Sequence, residues 1–456
     1  MWTRRSFFAL TLAGAGAAAL SRLGRRGPFA TGGDDVGYGP LQDDPDKILR
    51  LPRGFSYKVL SRTGDTMADG LLVPGAPDGM AAFAGENGRT VLVRNHELTV
   101  IVQGAFGSKN ERLTPELRAR LYDAGHGAVP ALGGTTTLVV DTKTLTVERQ
   151  HLSLAGTVRN CAGGATPWGS WLSCEESDVR AGGTFERDHG FCFEVPANAT
   201  GLVEPVPLVA MGRFYHEAAA VDPATGAVYL TEDRADGLLY RFLPNQAGVL
   251  SAGGRLQALV LRERKAANTS NHAEQGRIAP GQRLPITWVD IENPESPNDD
   301  LRKQGFGKGA ARFARGEGMH AHDGCVWFTC TIGGPAKVGQ IFCLRPDPDE
   351  DLGKADAPSA STLEIFYESP GKDLLENCDN LTLTPWGDLL VCEDGDKPEF
   401  LVGITPEGQA YKFAENVASG EEMTGATFSP DASTLFVNIQ QPGMTLAITG
   451  PWRKPG

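Results

Sequence analysis

The chain reads Asn160-Cys161-Ala-Gly-Gly-Ala-Thr166-Pro167-Trp168-Gly169-Ser-Trp-Leu-Ser-Cys174-Glu175-Glu176 in its first half. More than two hundred residues later it reads Asn377-Cys378-Asp379-Asn380-Leu-Thr-Leu-Thr384-Pro385-Trp386-Gly387-Asp-Leu-Leu-Val-Cys392-Glu393-Asp394. Both stretches contain a polar cluster, a Thr-Pro-Trp-Gly turn, a short apolar run, a cysteine and two acids. A structural repeat explains this pattern and predicts that equivalent acids gather in one place.

Four weaker copies of the same pattern align with these two. Each copy consists of a short strand, a tight turn with Gly, Asp or Pro, and a second strand with alternating apolar residues. The weaker copies begin at Met80, His216, Glu317 and Thr424 and end near Glu97, Asp233, Thr331 and Gln440.

The repeat predicts an all-β fold, a six-bladed β-propeller with rim insertions. Further strands follow most copies, so that each unit contains about four strands, as in a propeller blade. We expect the segments at about 98–130 and 264–312 to project from one rim, and residues 31–456 to form a single catalytic propeller domain. A seven-bladed propeller and a β-sandwich with coincidental repeats are the alternatives.

The composition agrees with a strand-rich fold and restricts the possible partners. The 456 residues include 57 Gly and 30 Pro, and the formal net charge is −13. Such an acidic protein is not expected to bind a nucleic-acid backbone. The acidity suits divalent cations held by carboxylates, although it also serves simply to keep a protein soluble.

The N-terminus has the pattern of an export signal. Arg4 and Arg5 precede an apolar run from Ala9 to Leu20, without a stop-transfer pattern. We therefore predict a signal peptide at residues 1–30, export by the twin-arginine translocation machinery, and a periplasmic or extracellular location. An ordinary secretory signal is the alternative, and we predict no membrane span.

Eight cysteines in an exported chain could form four disulfides. However, Cys174 and Cys392 occupy matching positions within apolar runs, where a buried free thiol is the more natural interpretation. A pair among Cys325, Cys330 and Cys343 is a further possibility. Cys161 differs from the others because it lies among polar residues and glycines, beside the acids.

Propeller geometry predicts where the acids meet. The first strand of every blade lines the central axis, and antiparallel pairing returns the end of the second strand to the start of the first. The first-strand starts provide Cys161, Glu217, Glu317 and Asp379, and the second-strand ends provide Glu97, Glu175-Glu176, Glu232-Asp233 and Glu393-Asp394. We expect both sets at one mouth of the channel.

So many carboxylates repel one another unless cations lie between them. Carboxylate oxygens suit Ca²⁺ or Mg²⁺, whereas the thiolate of Cys161 suits a transition metal, with iron or zinc as the first candidates. The sequence therefore predicts a mixed site that contains calcium and a second metal on Cys161.

Arg315 lies two residues before Glu317 and would point into this negative site. There its guanidinium could hold an anionic substrate through paired hydrogen bonds, and a phosphate monoester fits best. Metals would neutralise the ester and activate a nucleophile, while Arg315 stabilises charge on the transferred group. A surface salt bridge is the alternative role for Arg315.

At these motifs the chain resembles the PhoX-type alkaline phosphatases, exported β-propeller enzymes. The motifs that carry the resemblance are the twin-arginine start, Arg94-Asn-His-Glu97, Asn160–Glu176, His216-Glu217-Ala-Ala-Ala-Val-Asp, Arg315-Gly-Glu317, Asp379-Asn-Leu and Asn438-Ile-Gln-Gln-Pro-Gly.

The resemblance implies a mixed Fe³⁺ and Ca²⁺ cluster on the axis of a six-bladed propeller. It implies that Cys161 ligates iron, that Glu176, Glu217, Glu317 and Asp379 are metal ligands, and that Arg315 contacts phosphate. Position in the repeat is the sole basis for assigning four further ligands, Glu97, Glu175, Glu232 and Glu393. The predicted substrates are small phosphate esters and the predicted state is a monomer.

The chain departs from the family in three ways. It is short for the family, Gly316 stands where proline is expected, and Cys378 precedes Asp379 where proline is more usual. These departures put the substrate range in doubt more than the metal cluster. A calcium-dependent propeller lactonase or organophosphate hydrolase and a non-catalytic, metal-stabilised propeller are the rival interpretations.

Overall fold

The computed structural model describes residues 36–101, 103–127, 129–350, 352 and 359–454. The predicted signal peptide, with Arg4 and Arg5, lies outside the described residues. None of the helices in the described ranges is long and apolar enough to cross a membrane.

The described ranges are built from strands, with two short helices, α1 (Pro115–Arg118) and α2 (Leu301–Gly307), in the two long connections. The strands are, in chain order, β1 (Leu41–Gln42), β2 (Leu49–Pro52), β3 (Ser56–Arg62), β4 (Pro77–Ala84), β5 (Arg89–His96), β6 (Gly133–Asp141), β7 (Thr146–Thr157), β8 (Asn160–Ala165), β9 (Ser170–Glu175), β10 (Cys192–Pro196), β11 (His216–Val221), β12 (Val228–Glu232), β13 (Gly237–Pro244), β14 (Gly254–Leu261), β15 (Leu284–Asp290), β16 (Arg312–Phe313), β17 (Gly316–His322), β18 (Cys325–Cys330), β19 (Gln340–Arg345), β20 (Thr362–Glu368), β21 (Cys378–Leu383), β22 (Leu389–Glu393), β23 (Phe400–Ile404), β24 (Ala410–Asn416), β25 (Met423–Phe428), β26 (Leu435–Ile439) and β27 (Met444–Thr449).

The strands form six antiparallel units, which follow one another along the chain. Units one and two are β4–β7 and β8–β10, units three and four are β11–β14 and β17–β20, and unit five is β21–β24. Unit six is β25–β27 with β3, so a strand from the start of the described chain completes the last unit. β15 pairs with both β14 and β20 and joins units three and four into one larger sheet, while β1 and β2 extend unit five.

The first strands of the six units form a closed ring. β4 contacts β8, and the contacts continue through β11, β17, β21 and β25 back to β4. This arrangement confirms the predicted all-β propeller. The sequence analysis did not predict that β3 supplies the outer strand of unit six, because β3 is distant in sequence from the unit that it completes.

Small residues allow the inner strands to approach closely. A Cβ atom on Gly79 of β4 would lie 2.6 Å from the Cα of Ala162 in β8. A Cβ atom on Gly318 of β17 would lie 2.6 Å from the Cα of Asn380 in β21. Larger side chains at these positions would force neighbouring units apart.

One irregularity recurs at the start of every first strand. The register with the second strand shifts just after Pro77, Asn160, His216, Gly316, Cys378 and Thr424. A β-bulge of this kind re-aims the side chain at the extra position. Six bulges at one level of the ring therefore direct six side-chain positions towards the same mouth of the channel.

Candidate metal centre

The bulge positions of units one to five are occupied by Asp78, Cys161, Glu217, Glu317 and Asp379. Their ligand atoms form overlapping groups in which all atoms lie within 4.8 Å of one another. The groups are Asp78 with Glu97 and Cys161, Cys161 with Glu176 and Glu217, and Glu217 with Glu317 and Asp379. The local backbone thus brings one thiol and several carboxylates into a single cluster.

The second strands contribute the residue that directly follows each strand. These residues are Glu97, Glu176, Asp233, Thr331 and Asp394 in units one to five. Each backbone N–H donates to the carbonyl just before the first strand, as in Glu176 to Arg159 at 2.9 Å and Asp394 to Asn377 at 2.9 Å. This shared hydrogen bond fixes the position at the mouth in every unit.

Glu175 is directed into unit two instead. Its carboxylate accepts hydrogen bonds from the backbone N–H groups of Val158 and Gly190 at 2.8 and 2.7 Å, and it lies 2.6 Å from His189 Nδ1. His189 also contacts Asp123 at 3.2 Å, which ties the 98–130 connection to this unit. Glu175 is therefore already saturated by protein partners and belongs to no ligand group.

Glu232 and Glu393 occupy, in units three and five, the position that Glu175 has in unit two, and their side chains are directed into their own units. Glu232 accepts from the Tyr240 hydroxyl at 2.9 Å and lies 3.5 Å from Arg302. Glu393 is paired with Lys412 at 3.0 Å. Successive residues of a strand point to opposite faces, so in each pair of acids the second faces the mouth and the first faces the sheet.

Glu217 supplies the observation that tests whether the cluster fits metal ions. Its side chain is fully buried, and neither carboxylate oxygen has a hydrogen-bond partner among the described residues. A buried carboxylate without partners is costly unless it is protonated or coordinates a cation. The donor set, with several carboxylates and one thiol, fits hard cations together with a transition metal.

Without metal, this crowding favours protonation. Burial raises the pKa of Glu217 well above its usual value, and Asp379 and Glu176 raise it further by repulsion. Burial also raises the pKa of Glu176 to about 8 against the opposing effect of Arg159, and it raises that of Asp379 to about 7. Burial and then Asp78 raise the pKa of the Cys161 thiol. Metal ions would replace these protons.

Two arginines lie at the mouth of the cluster. Arg315 donates from Nε and Nη2 to Asp233 at 2.8 Å each, and its Nη2 also donates to Glu317 at 2.7 Å. Arg159 donates from Nε to Glu97 at 2.9 Å and is also paired with Glu176. Both immediately precede a first strand, in left-handed backbone with φ of 58° and 46°.

Both arginines keep donors for a ligand. About one third of each side chain is exposed, at 33% for Arg315 and 37% for Arg159. Among the described residues, Nη1 of neither guanidinium has a hydrogen-bond partner. Their carboxylate partners occupy Nε and Nη2 of each guanidinium and leave the Nη1 donors available to an anion.

Sequence reasoning missed Asp78 and Arg159, and it placed Asp233 and Asp394 at the mouth without assigning them as ligands. Asp78 was missed because the first copy was aligned from Met80, two residues after the position equivalent to Cys161. The ligand role was assigned to Glu232 and Glu393, because the period of two along a strand shows that neighbouring acids face opposite sides but not which side is the mouth. Arg159 has the same position in the repeat as Arg315, and this correspondence could have identified it from the sequence.

Unit six differs from the others at the cluster. Gly425, with a φ of 61°, stands at its bulge position, where the other five units carry a candidate ligand. Gln440 donates to both Asp78 and Glu97 at 3.0 Å, and the backbone carbonyl of Glu422 accepts from Gln440 N–H. Unit six therefore supports the ligands of unit one.

The eight cysteines are all free thiols, and every one except Cys161 is buried. This agrees with the prediction for Cys174 and Cys392. Cys378 has the same repeat position as Asn160, and its Sγ lies 3.4 Å from the Gln340 carbonyl, away from the cluster. Its neighbour Asp379 is the residue that enters the cluster, as expected from the sequence.

The family model for alkaline phosphatase PhoX matches residues 36–145 and 107–443. The chain belongs to this family. It is accordingly a phosphoric ester hydrolase, and of the three interpretations of the sequence the phosphatase is the one that family membership supports.

The fold of the chain is similar to that of a solved PhoX structure. PhoX of Pseudomonas fluorescens in complex with vanadate, a transition state analogue, has 19% sequence identity and a TM-score of 0.64, covering 89% of this chain and 96% of that chain. A gluconolactonase from Xanthomonas campestris has 12% identity and a TM-score of 0.40, covering 94% of this chain and 99% of that one. No curated protein matches the sequence.

Proposed function

We propose that this PhoX-family enzyme hydrolyses small phosphate monoesters at a mixed Fe³⁺ and Ca²⁺ cluster on the propeller axis. The observation that carries the proposal is the buried carboxylate of Glu217, which has no partner and lies between the groups of Cys161 and Asp379. A bound metal ion would compensate the charge of this carboxylate, which no protein donor does.

The residues divide by their chemistry. Cys161, a soft donor as thiolate, would hold iron together with Glu176 and Glu217. The remaining carboxylates, among them Asp78, Glu97, Glu317 and Asp379, would hold calcium. Three acids are left out of the proposed cluster because they face donors or cations of their own units and belong to no ligand group, namely Glu175, Glu232 and Glu393.

When bound, the metals would act as Lewis acids on the ester and activate the attacking oxygen. Arg315 and Arg159 would bind the phosphoryl oxygens through the Nη1 donors that their carboxylate partners leave available. Asp233 and Glu317 orient Arg315, while Glu97 and Glu176 orient Arg159. Fixed donors of this kind stabilise charge on the transferred group without reorganisation.

Export is part of the proposal. The twin-arginine pattern at Arg4 and Arg5 favours translocation of the folded protein, which would allow the cluster to assemble before export. We expect the exported protein to be a monomer in the periplasm or the medium. Residues 1–30 would be removed, leaving the propeller of residues 31–456. Replacing both arginines with lysine should leave the protein in the cytoplasm, which cell fractionation would detect.

Metal analysis coupled to an assay tests the proposal directly. Protein purified from its own host should contain iron and calcium and release phosphate from an aryl phosphate at alkaline pH. A chelator should remove both the metal and the activity. Calcium without iron in fully active protein would contradict the mixed cluster, and fully metallated protein without phosphatase activity would contradict the proposed substrate class.

A further inference from the structure

A pair of cysteines outside the proposed cluster lies in unit two, near the end of β9 and at the start of β10. Cys174 of β9 faces Cys192 of β10 directly across the antiparallel ladder. Their Sγ atoms are 3.4 Å apart, and both side chains are completely buried. The two sulfur atoms are therefore in contact, as a thiol pair without a bond.

The register places this pair at the position that suits a cross-strand disulfide. Glu175 N–H donates to the Phe191 carbonyl at 3.0 Å, so those two residues form a hydrogen-bonded pair. The alternation of antiparallel ladders then makes Cys174 and Cys192 a non-hydrogen-bonded pair, in which Cα atoms are typically ~4.5 Å apart. Disulfides span Cα separations of ~4.4–6.8 Å, so the strands need little movement.

The equivalent position of unit five shows that the pair is specific to unit two. Cys392 has the same repeat position as Cys174, but it faces Leu401 across its ladder. The same scaffold therefore contains one thiol with a facing thiol and one without. Among the described cysteines, Cys325 and Cys343 are also near each other, but Cys343 is directly opposite Trp327.

We propose that Cys174 and Cys192 are a redox site that oxidises to an internal disulfide in contact with a small disulfide oxidant such as oxidised glutathione. The Cys192 thiol loses its proton, its sulfur attacks the oxidant, and one glutathione thiolate leaves. The Cys174 sulfur, after losing its proton, then attacks Cys192 Sγ and displaces the second glutathione. Two protein thiols are oxidised, one glutathione disulfide is reduced, and the two released protons end on the two glutathione thiols.

The exchange requires local opening, because both sulfur atoms are buried. β10 is the outer strand of unit two, and it is held on its far side by an isolated bridge between Phe193 and Pro207 and by a hydrogen bond of 2.9 Å from Leu208 N–H to the Cys192 carbonyl rather than by a further strand. An outer strand with so little support opens more readily than a central one. Oxidation should therefore be slow in the folded protein and fast during refolding.

The disulfide would close the segment between β9 and β10. That segment contains Glu176 at the cluster, and His189, which contacts Glu175 and Asp123. A cross-link across this loop restricts the unfolded chain and stabilises the folded one. Oxidation should raise the melting temperature by several degrees without requiring metal at the cluster.

Peptide mapping tests the proposal on the full-length protein. The protein is incubated with oxidised glutathione, both folded and during refolding, then denatured, alkylated with N-ethylmaleimide and digested without reductant. We expect a cross-linked peptide pair that contains Cys174 and Cys192, and a rise in melting temperature that dithiothreitol reverses. Cys392→Ala should behave like the wild type, whereas Cys174→Ala and Cys192→Ala should lose both the cross-link and the temperature gain.

Full alkylation of Cys174 and Cys192 in the refolded, oxidant-treated sample would overturn the proposal, because refolding exposes both thiols to the oxidant before they are buried. A temperature gain that persists in Cys174→Ala would overturn it as well. Both measurements are independent of phosphatase activity, so the proposed function can fail or succeed separately.

Discussion

Units two and five share the bulged arrangement of their first two strands and differ in the side chains that it presents. The bulge position holds Cys161 in unit two and Asp379 in unit five, and the residue two positions before holds Arg159 and Asn377. Both Arg159 and Asn377 adopt left-handed backbone, with φ of 46° and 48°. Identical geometry thus delivers a thiol and a cation in one unit, and a carboxylate and an amide in the other.

This difference teaches that the scaffold fixes where a ligand stands, while single residues decide which metal it prefers. A thiolate selects a transition metal and a carboxylate suits calcium. Exchanging the residues between the two units should therefore change the chemistry of the cluster without changing the fold.

The largest effect is expected for Cys161→Asp, which gives unit two the bulge residue of unit five. The carboxylate keeps the negative charge but removes the soft donor, so iron should be lost while calcium is retained. We expect phosphatase activity to fall at least ~10³-fold, the order associated with loss of a central electrostatic component. Elemental analysis and initial rates on an aryl phosphate measure both changes.

Cys392→Ala is the matched control for this substitution. It removes a buried thiol that lies outside every ligand group, so metal content and activity should stay at the wild-type level. Iron retained in active Cys161→Asp protein would show that Cys161 is not the iron ligand.

The next largest effect is expected at the arginines. Arg315→Ala should lower kcat/KM by ~10²–10³-fold, because a positioned donor to the transferred phosphoryl group is lost. Arg315→Lys should recover only part of this, since an ammonium cannot form the paired hydrogen bonds to Asp233 and also present a fixed donor to the ester.

Arg159 sharpens the comparison between the units. Arg159→Asn introduces the unit-five residue, which tolerates the left-handed backbone, and should lower kcat/KM by ~10-fold or more with metal content unchanged. Arg89→Ala, which breaks an exposed ion pair with Glu148, is the control and should leave both quantities unchanged. Unchanged kinetics in Arg159→Asn would exclude Arg159 from substrate binding.

The sequence was sufficient to predict the propeller, since six copies of a two-strand pattern define it. It also identified Glu97, Cys161, Glu176, Glu217, Glu317 and Asp379, which the structure brings together in one cluster. It could not separate Glu175 from Glu176, because both acids end the same strand and only the sheet shows which face is open. Completion of unit six by β3 depends on a pairing between Ser56–Arg62 and Met444–Thr449, which no local sequence pattern reveals.

The two acids at the end of β9 should respond differently to the same substitution. Glu176→Gln should reduce metal content and activity by ~10–100-fold, with a small change in stability. Glu175→Gln should retain the metal but lower the free energy of unfolding by about 3 kcal/mol, because an amide cannot accept from all four buried donors around it. Chemical denaturation and elemental analysis distinguish the two, and equal metal loss in both variants would contradict the assignment of opposite faces.

The smallest effect is expected in the pH dependence of the metal-free protein. Burial raises the pKa of Glu176 to about 8 and that of Asp379 to about 7, above the usual carboxyl values of ~4 in the unfolded chain. Between pH ~4 and ~8 the folded state therefore binds more protons than the unfolded state, so stability falls as the pH rises through this window. The melting temperature of chelated protein should drop by a few degrees from pH 5 to pH 8. Added calcium should reverse this decline most strongly at pH 8. There the carboxylates have lost their protons, and bound cations are needed to offset the repulsion between their charges. A melting temperature of the metal-free protein that rises over the same range would show that these acids do not repel one another as the cluster requires.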